Sequence, residues 1–174
     1  GQIEVCIDAE FNQRGSMTVG ELKLPGTSDE EYLISTYCCH PSMANDNLSG
    51  LLLTAFLARE LAQTNNLKKT WRIIIVPETI GAIAYLYFNE SKMKKVSGGL
   101  VVTTCGGPGA FGYKESFLRD SLVDRAVQLV FRDNEIKPLH YKFAPDGSDE
   151  RQYSSPGFRI PMVSITRDKY YEYD

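Results

Sequence analysis

The chain has 174 residues, 43% of them apolar and 24% charged, with a formal net charge of −3. These values fit one soluble globular domain with a sizeable core. The acidic balance argues against nucleic acid or an anionic membrane as partner, since both favour a basic face, and no stretch reaches the roughly 20 apolar residues of a membrane span.

The opening residues carry Glu4, Asp8 and Glu10, which no signal peptide would. Cys6, Cys38, Cys39 and Cys105 are too sparse for an extracellular disulfide scaffold, so a reduced, cytoplasmic protein is expected. The chain starts at Gly1 without a methionine and stops just after Tyr170, Tyr171 and Tyr173. It reads as one domain, residues 1–174, taken from a longer chain. The closing tyrosines line either a pocket or an interface.

Residues 3–7 (IEVCI) read as a strand, and residues 17–24 alternate up to the Pro25-Gly26 turn. Residues 31–37 (EYLISTY) carry apolar and β-branched side chains on both faces, as a buried strand does. A helix follows, with Asp46 and Asn47 as cap residues and Leu51, Leu52, Ala55, Phe56, Ala58, Leu61 and Ala62 at helical spacing. Residues 70–76 (TWRIIIV) form a continuous apolar strand closed by Pro77. A second helix spans 79–89, with Ile80, Ile83, Ala84 and Leu86 towards the core. Residues 99–104 are another buried strand, 120–132 a third helix, and 161–165 the last strand. This alternation predicts an α/β fold with a mostly parallel, mixed sheet, helices on both faces, and an antiparallel edge made by the opening strands.

Sites in open α/β sheets lie at the carboxyl ends of the strands. Three polar segments fall there: 39–47, 77–79 and 105–109. A catalytic zinc takes three protein ligands and keeps a position open for water. His40 offers a ring nitrogen, and Asp46 follows across a short loop at the mouth of a helix. Glu78, from a neighbouring strand end, is placed to take a proton from activated water. Each residue also has a plain structural reading: a strand-end imidazole, an N-cap and a solvated carboxylate. Their joint placement weighs for the metal without deciding it.

The segments HPSMANDNLSG, VPETIGAIAYL and GSDERQYSSPGFRIP go further. They resemble the zinc aminopeptidase superfamily that includes bacterial leucyl aminopeptidase, glutamate carboxypeptidase II and glutaminyl cyclase. Closer still, the chain looks like an aminopeptidase-like branch associated with bacterial surface polysaccharide biosynthesis. The resemblance covers residues 4–174. It implies metal ligands at His40 and Asp46 and a general base at Glu78. Two-zinc members have a second Glu where this chain has Thr79, and a further Asp ligand near Cys105. Both departures imply one zinc per chain, with Cys105 a buried apolar residue rather than a substitute ligand. The superfamily's last ligand is a His shortly after an R-x-x-Y stretch. Arg167-Asp168-Lys169-Tyr170 is present, but no His follows it up to residue 174, so the resemblance implies a third ligand that either lies past residue 174 or is lacking in this variant. The other histidine, His140, sits on an expected strand at 139–143 and reads as structural.

Asp149, Glu150 and Arg151 lie in an expected polar loop. One reading is a solvated charge cluster. The other is substrate binding, with Arg151 gripping a carboxylate and Asp149 or Glu150 receiving an amino group. Residues 107–112 fit G-x-G-x-x-G but lack the first βα turn and a following helix, so no dinucleotide is expected. Cys39 and His40, as neighbours on a strand, should face opposite ways and make no nucleophile pair. The expected function is zinc-dependent hydrolysis of a peptide or N-acyl bond, with Glu78 activating water. Two alternatives are acyl transfer or cyclisation at the same zinc, and a non-catalytic binding module without metal. The expected partner is a small peptide or N-acyl substrate.

Overall fold

In the computed structural model, which describes residues 1–167 and residue 169, the strand β2 (Glu31–Tyr37) is buried along its whole length. Its side chains alternate between two apolar layers. Leu33 packs with Ile74, Val76 and Val101, while Ile34 packs with Ile73 and Val102. On one side β2 pairs in parallel with β3 (Thr70–Val76) over its full length. On the other it pairs in parallel with β4 (Val96–Val102). An edge strand, β1 (Gly20–Leu24), runs antiparallel to β3, as expected of the opening segment.

Beyond β4 lie β5 (Phe111–Lys114), β6 (Leu139–Tyr141) and β7 (Met162–Arg167). Among the described residues the sheet has seven strands in the order β1-β3-β2-β4-β7-β5-β6. The central four are parallel, and β5 runs antiparallel to β7. The sheet is thus mostly parallel and mixed.

Helices cover both faces. On one face, α2 (Ile80–Phe88), α3 (Glu90–Met93) and α5 (Glu150–Tyr153) bury Ala82, Tyr85, Leu86, Met93 and Tyr153. On the other, α1 (Gly50–Gln63) sets Leu57, Ala58 and Leu61 against Ile34 and Ile73. Next to it, α4 (Leu122–Asp133) buries Val123 and Phe131. Ser121 and Asp124 start α4 with a reciprocal capping box. No helix among the described residues is long and apolar enough to cross a membrane.

Several expected elements move. Residues 3–7 are not a strand: no neighbouring strand offers them a ladder, and Ile3, Val5 and Ile7 stand exposed. The strand expected from residue 17 starts at Gly20. In α2, Ile80 and Ile83 point outward; Leu86 makes its expected core contact, joined by Ala82 and Tyr85. The helix is apolar all round, so periodicity gave no face to choose. With Tyr87 and Phe88, these residues leave an apolar stripe exposed. The short β5 went unread because glycines precede it and only four residues pair.

Candidate metal centre

β2 hands the chain over at Tyr37, and Cys38 donates its amide to the Val76 carbonyl at 2.9 Å, extending the pairing with β3 by one residue. The chain then turns sharply. His40 and Ser42 take φ of 56° and 72°. At the end of β3, Thr79 takes 61°, and at the end of β4, Thr104 takes 46°. Left-handed conformations at non-glycine residues are costly and gather where a fold holds a site. Of the eight among the described residues, these four lie just past the carboxyl ends of three adjacent parallel strands.

The N-D-N-x-S-G segment is a clasp. It forms a wide helical turn, Ala44–Ser49, with non-helical angles at Asp46 and Asn47 and a cis peptide bond between them. The Asn45 amide oxygen accepts the Gly106 amide at 2.9 Å, Asn47 accepts Thr104 at 2.9 Å, and Ser49 accepts Cys105 at 2.9 Å. Three side chains thus satisfy three successive backbone donors of the loop leaving β4. A Cβ at Gly50 would sit 2.6 Å from the Val102 carbonyl oxygen, so only glycine lets α1 approach β4 here. The expectation that Asp46 and Asn47 cap α1 is corrected. α1 begins at Gly50, and both side chains turn inward to other partners.

Asp46 is held from behind. The buried Tyr37 hydroxyl donates to Asp46 Oδ1 at 2.6 Å, and itself accepts from Thr103 Oγ1 at 2.6 Å. Burial and the hydrogen bond to Asp46 push the phenol well above its ordinary range, so it stays a neutral donor. Asp46 Oδ2 then lies 3.6 Å from His40 Nε2, and Glu78 Oε2 lies 3.3 Å from the same nitrogen. Zinc with bonds of about 2.0–2.1 Å in tetrahedral geometry spaces its N and O ligands by about 3.4 Å. Each carboxylate thus stands from the imidazole at about that spacing, and among the described residues the donors lying within 4.8 Å of one another are those of Cys39, His40 and Glu78. The structure brings His40, Asp46 and Glu78 together across 38 residues of sequence.

Glu78 is anchored on its other oxygen, where Ser148 Oγ donates to Oε1 at 2.9 Å. The next amide, of Thr79, donates to Asp149 Oδ1 at 2.8 Å. Asp149 is fully buried, and among the described residues its Oδ2 has no hydrogen-bond partner. Burial pushes its carboxyl up to about 7, nearby Glu78 and Glu150 push the same way, and the Thr79 amide opposes them.

A stability prediction follows for the metal-free protein. Unfolded, Asp149 releases its proton near pH 4; folded, near 7. Between those values the folded state binds more protons, so this group makes stability fall as pH rises. Asp149→Asn, with its amide oxygen in the Oδ1 position, keeps an acceptor for Thr79 and removes the charge. Its stability relative to wild type is expected to change little below about pH 4 and to rise by about 4 kcal/mol by about pH 8. Urea denaturation across that range reads it. A difference that does not vary with pH would assign the titration to another group.

Asp149 and Glu150 are both fully buried, which corrects the reading of a solvated charge cluster. They sit at the start of α5, not in an open loop. The Glu150 carboxylate meets the Lys114 ammonium at 2.9 Å, and Lys114 also meets Asp146 at 2.9 Å. Arg151 is partly exposed. It lines a cavity of about 690 Å³ with Ile83, Leu86, Tyr87 and Phe158. A second cavity, of about 360 Å³, opens beside His40 between Cys39, Met43, Leu48 and Leu51.

Cys105 donates to the Thr103 carbonyl at 3.2 Å, and burial pushes its thiol up to about 11. His140 stacks on Tyr113 and lies 3.0 Å from the Glu115 carboxylate. Cys39 does not face away from His40. The left-handed turn breaks strand alternation, and the two side chains converge with Glu78. Burial raises the Cys39 thiol, and hydrogen bonding with the Glu78 backbone opposes that. Sequence reasoning passed over Tyr37 and Ser148. A buried tyrosine must find a partner for its hydroxyl, and this one ends the strand that delivers His40. Asp168, Tyr170, Tyr171 and Tyr173 lie outside the described residues.

The strand order and the constellation at the strand ends define an aminopeptidase-like fold. A zinc aminopeptidase from Bacillus subtilis superposes with a TM-score of 0.70 at 17% identity, over 90% of this chain and 41% of that one. Glutaminyl cyclases share the fold as well. The chain belongs to the family described as Domain of unknown function (DUF4910), whose profile matches residues 8–174. A crystal structure of a candidate peptidase from Clostridium acetobutylicum matches at 41% identity and a TM-score of 0.85, over 88% of this chain and 36% of that one. A candidate polysaccharide biosynthesis protein with an aminopeptidase-like domain, from the same organism, is 42% identical over 167 residues, 96% of this chain. The chain spans 38% of that relative's length.

Proposed function

We propose that this chain carries the centre of a zinc-dependent hydrolase of aminopeptidase type, acting on a peptide or N-acyl bond. The observation that carries the reading is the convergence of one imidazole and two carboxylates, at 3.3 and 3.6 Å, on the strand ends of this fold. His40 and Asp46 would hold the metal. When bound, zinc supplies a Lewis acid that polarises the scissile carbonyl and acidifies water.

The chain's own residues do the rest. Tyr37 fixes Asp46 through Oδ1 and leaves Oδ2 for the cation. Ser148 holds Glu78 by Oε1, so Oε2 faces the centre as an acceptor for the proton of the attacking water. Glu78 then returns that proton to the leaving amine. Asp149 fixes the backbone just after Glu78 through the Thr79 amide. The substrate is a small peptide or an N-acyl compound. An aminoacylated sugar is in keeping with the polysaccharide biosynthesis named for the Clostridium relative.

Elemental analysis of the intact protein tests the centre. About one zinc per chain is expected, and His40→Ala should lose it. Absence of zinc from the wild type after zinc is supplied would leave a binding fold without metal. In a product assay on an N-terminal glutaminyl peptide, a cyclised product in place of cleavage would make the centre an acyl-transfer site.

A further inference from the structure

The Cys39 sulfur, a ring nitrogen of His40 and a carboxylate oxygen of Glu78 all lie within 4.8 Å of one another. Asp46 Oδ2 stands outside that group, 3.6 Å from His40 Nε2. Cys39 owes this position to the left-handed φ of 56° at His40, which turns two consecutive side chains towards one point. The other thiols are placed differently. Cys38 is exposed. Cys105 is spent on the Thr103 and Ile165 carbonyls, at 3.2 and 3.5 Å. Imidazole, carboxylate and thiolate are the three donor types zinc takes, and a catalytic zinc takes three protein ligands.

We propose that Cys39 is a direct ligand of the metal held by His40 and Asp46. The inference rests on the metal reading of this site. On binding, the sulfur–hydrogen bond breaks, a sulfur–metal bond forms, and one proton per ion passes to solvent. Cys39 then joins His40 and Asp46 as a donor to the ion, with the Asp46 oxygen drawing in from outside the 4.8 Å group, and Glu78 stays unligated as the base. A thiolate in the set favours zinc, cobalt or iron over magnesium and calcium.

Cobalt(II) is the probe. The intact protein is stripped with a chelator, dialysed and titrated with cobalt. The wild type should develop the near-ultraviolet charge-transfer absorption of a cobalt–thiolate bond. Cys39→Ser should still bind cobalt, about tenfold or more weakly, without that absorption, and Cys38→Ser and Cys105→Ser should keep it. A second measurement needs no variant. Zinc should protect Cys39, and not Cys38, from iodoacetamide, with the labelled peptide read by mass spectrometry. Cobalt binding that needs His40 but gives no thiolate absorption, or equal labelling of Cys39 with and without zinc, overturns the proposal and leaves the metal centre intact. Failure of the wild type to bind cobalt, or binding that His40→Ala does not weaken, overturns the metal reading and the proposal with it.

Discussion

Glu78→Gln is expected to lower turnover on a peptide or N-acyl substrate by about 10²–10⁴-fold, while zinc stays at about one per chain. The substitution keeps the side chain's shape, and its amide oxygen can still accept from Ser148, which donates to Oε1 at 2.9 Å. What it removes is the acceptor on Oε2, 3.3 Å from His40 Nε2. A base acting only in the chemical step should affect kcat and leave the metal alone. Zinc content and turnover must therefore be measured on the same preparation. Loss of both together would make Glu78 a metal ligand. Unchanged turnover would move the base elsewhere.

The second large effect is on the fold. Lys114→Met should cost about 3–5 kcal/mol, because it leaves the fully buried Glu150 carboxylate without the ammonium that compensates it. The double variant Lys114→Met with Glu150→Gln removes both charges and should recover most of the loss. Urea denaturation of the wild type, the two single variants and the double variant gives the coupling directly. The experiment also separates two roles for Glu150. One reading of the sequence gave it a substrate amine, whereas its neighbour in the structure is Lys114 at 2.9 Å. If Lys114→Met leaves stability nearly unchanged and raises KM, Glu150 belongs to the substrate. If stability falls and the double variant restores it, the pair is internal scaffolding for α5.

The strands were readable where burial imposes a pattern. Residues 31–37 and 70–76 are apolar on both faces because helices cover both sides of the sheet, and they pair in full register. Residues 3–7 have the same local chemistry and no ladder to join, since pairing is decided by a partner that a single segment cannot specify. The trio His40, Asp46 and Glu78 was legible because strand ends are where this architecture collects polar side chains. Its supports were not. Asp46 before a helical pattern looks like a cap whether or not Tyr37 waits for its carboxylate. Asp149 and Glu150 looked like surface charges because nothing local announces burial. The lysine that neutralises Glu150 lies 36 residues upstream. Cys39 was misjudged by extending strand alternation past Tyr37, where the backbone had already turned.

The way the centre is stitched together sets when it can exist. His40 reaches Glu78 across 38 residues and Ser148 reaches Glu78 across 70, so no hairpin or single helix brings the base to the loop that carries Cys39, His40 and Asp46. Parallel pairing of β2 with β3 and β4 must come first, and non-local contacts of this kind form late and slowly. A nascent chain therefore passes through most of its folding before Glu78 stands beside that loop. A cation bound there would add stability that tracks the free metal around it.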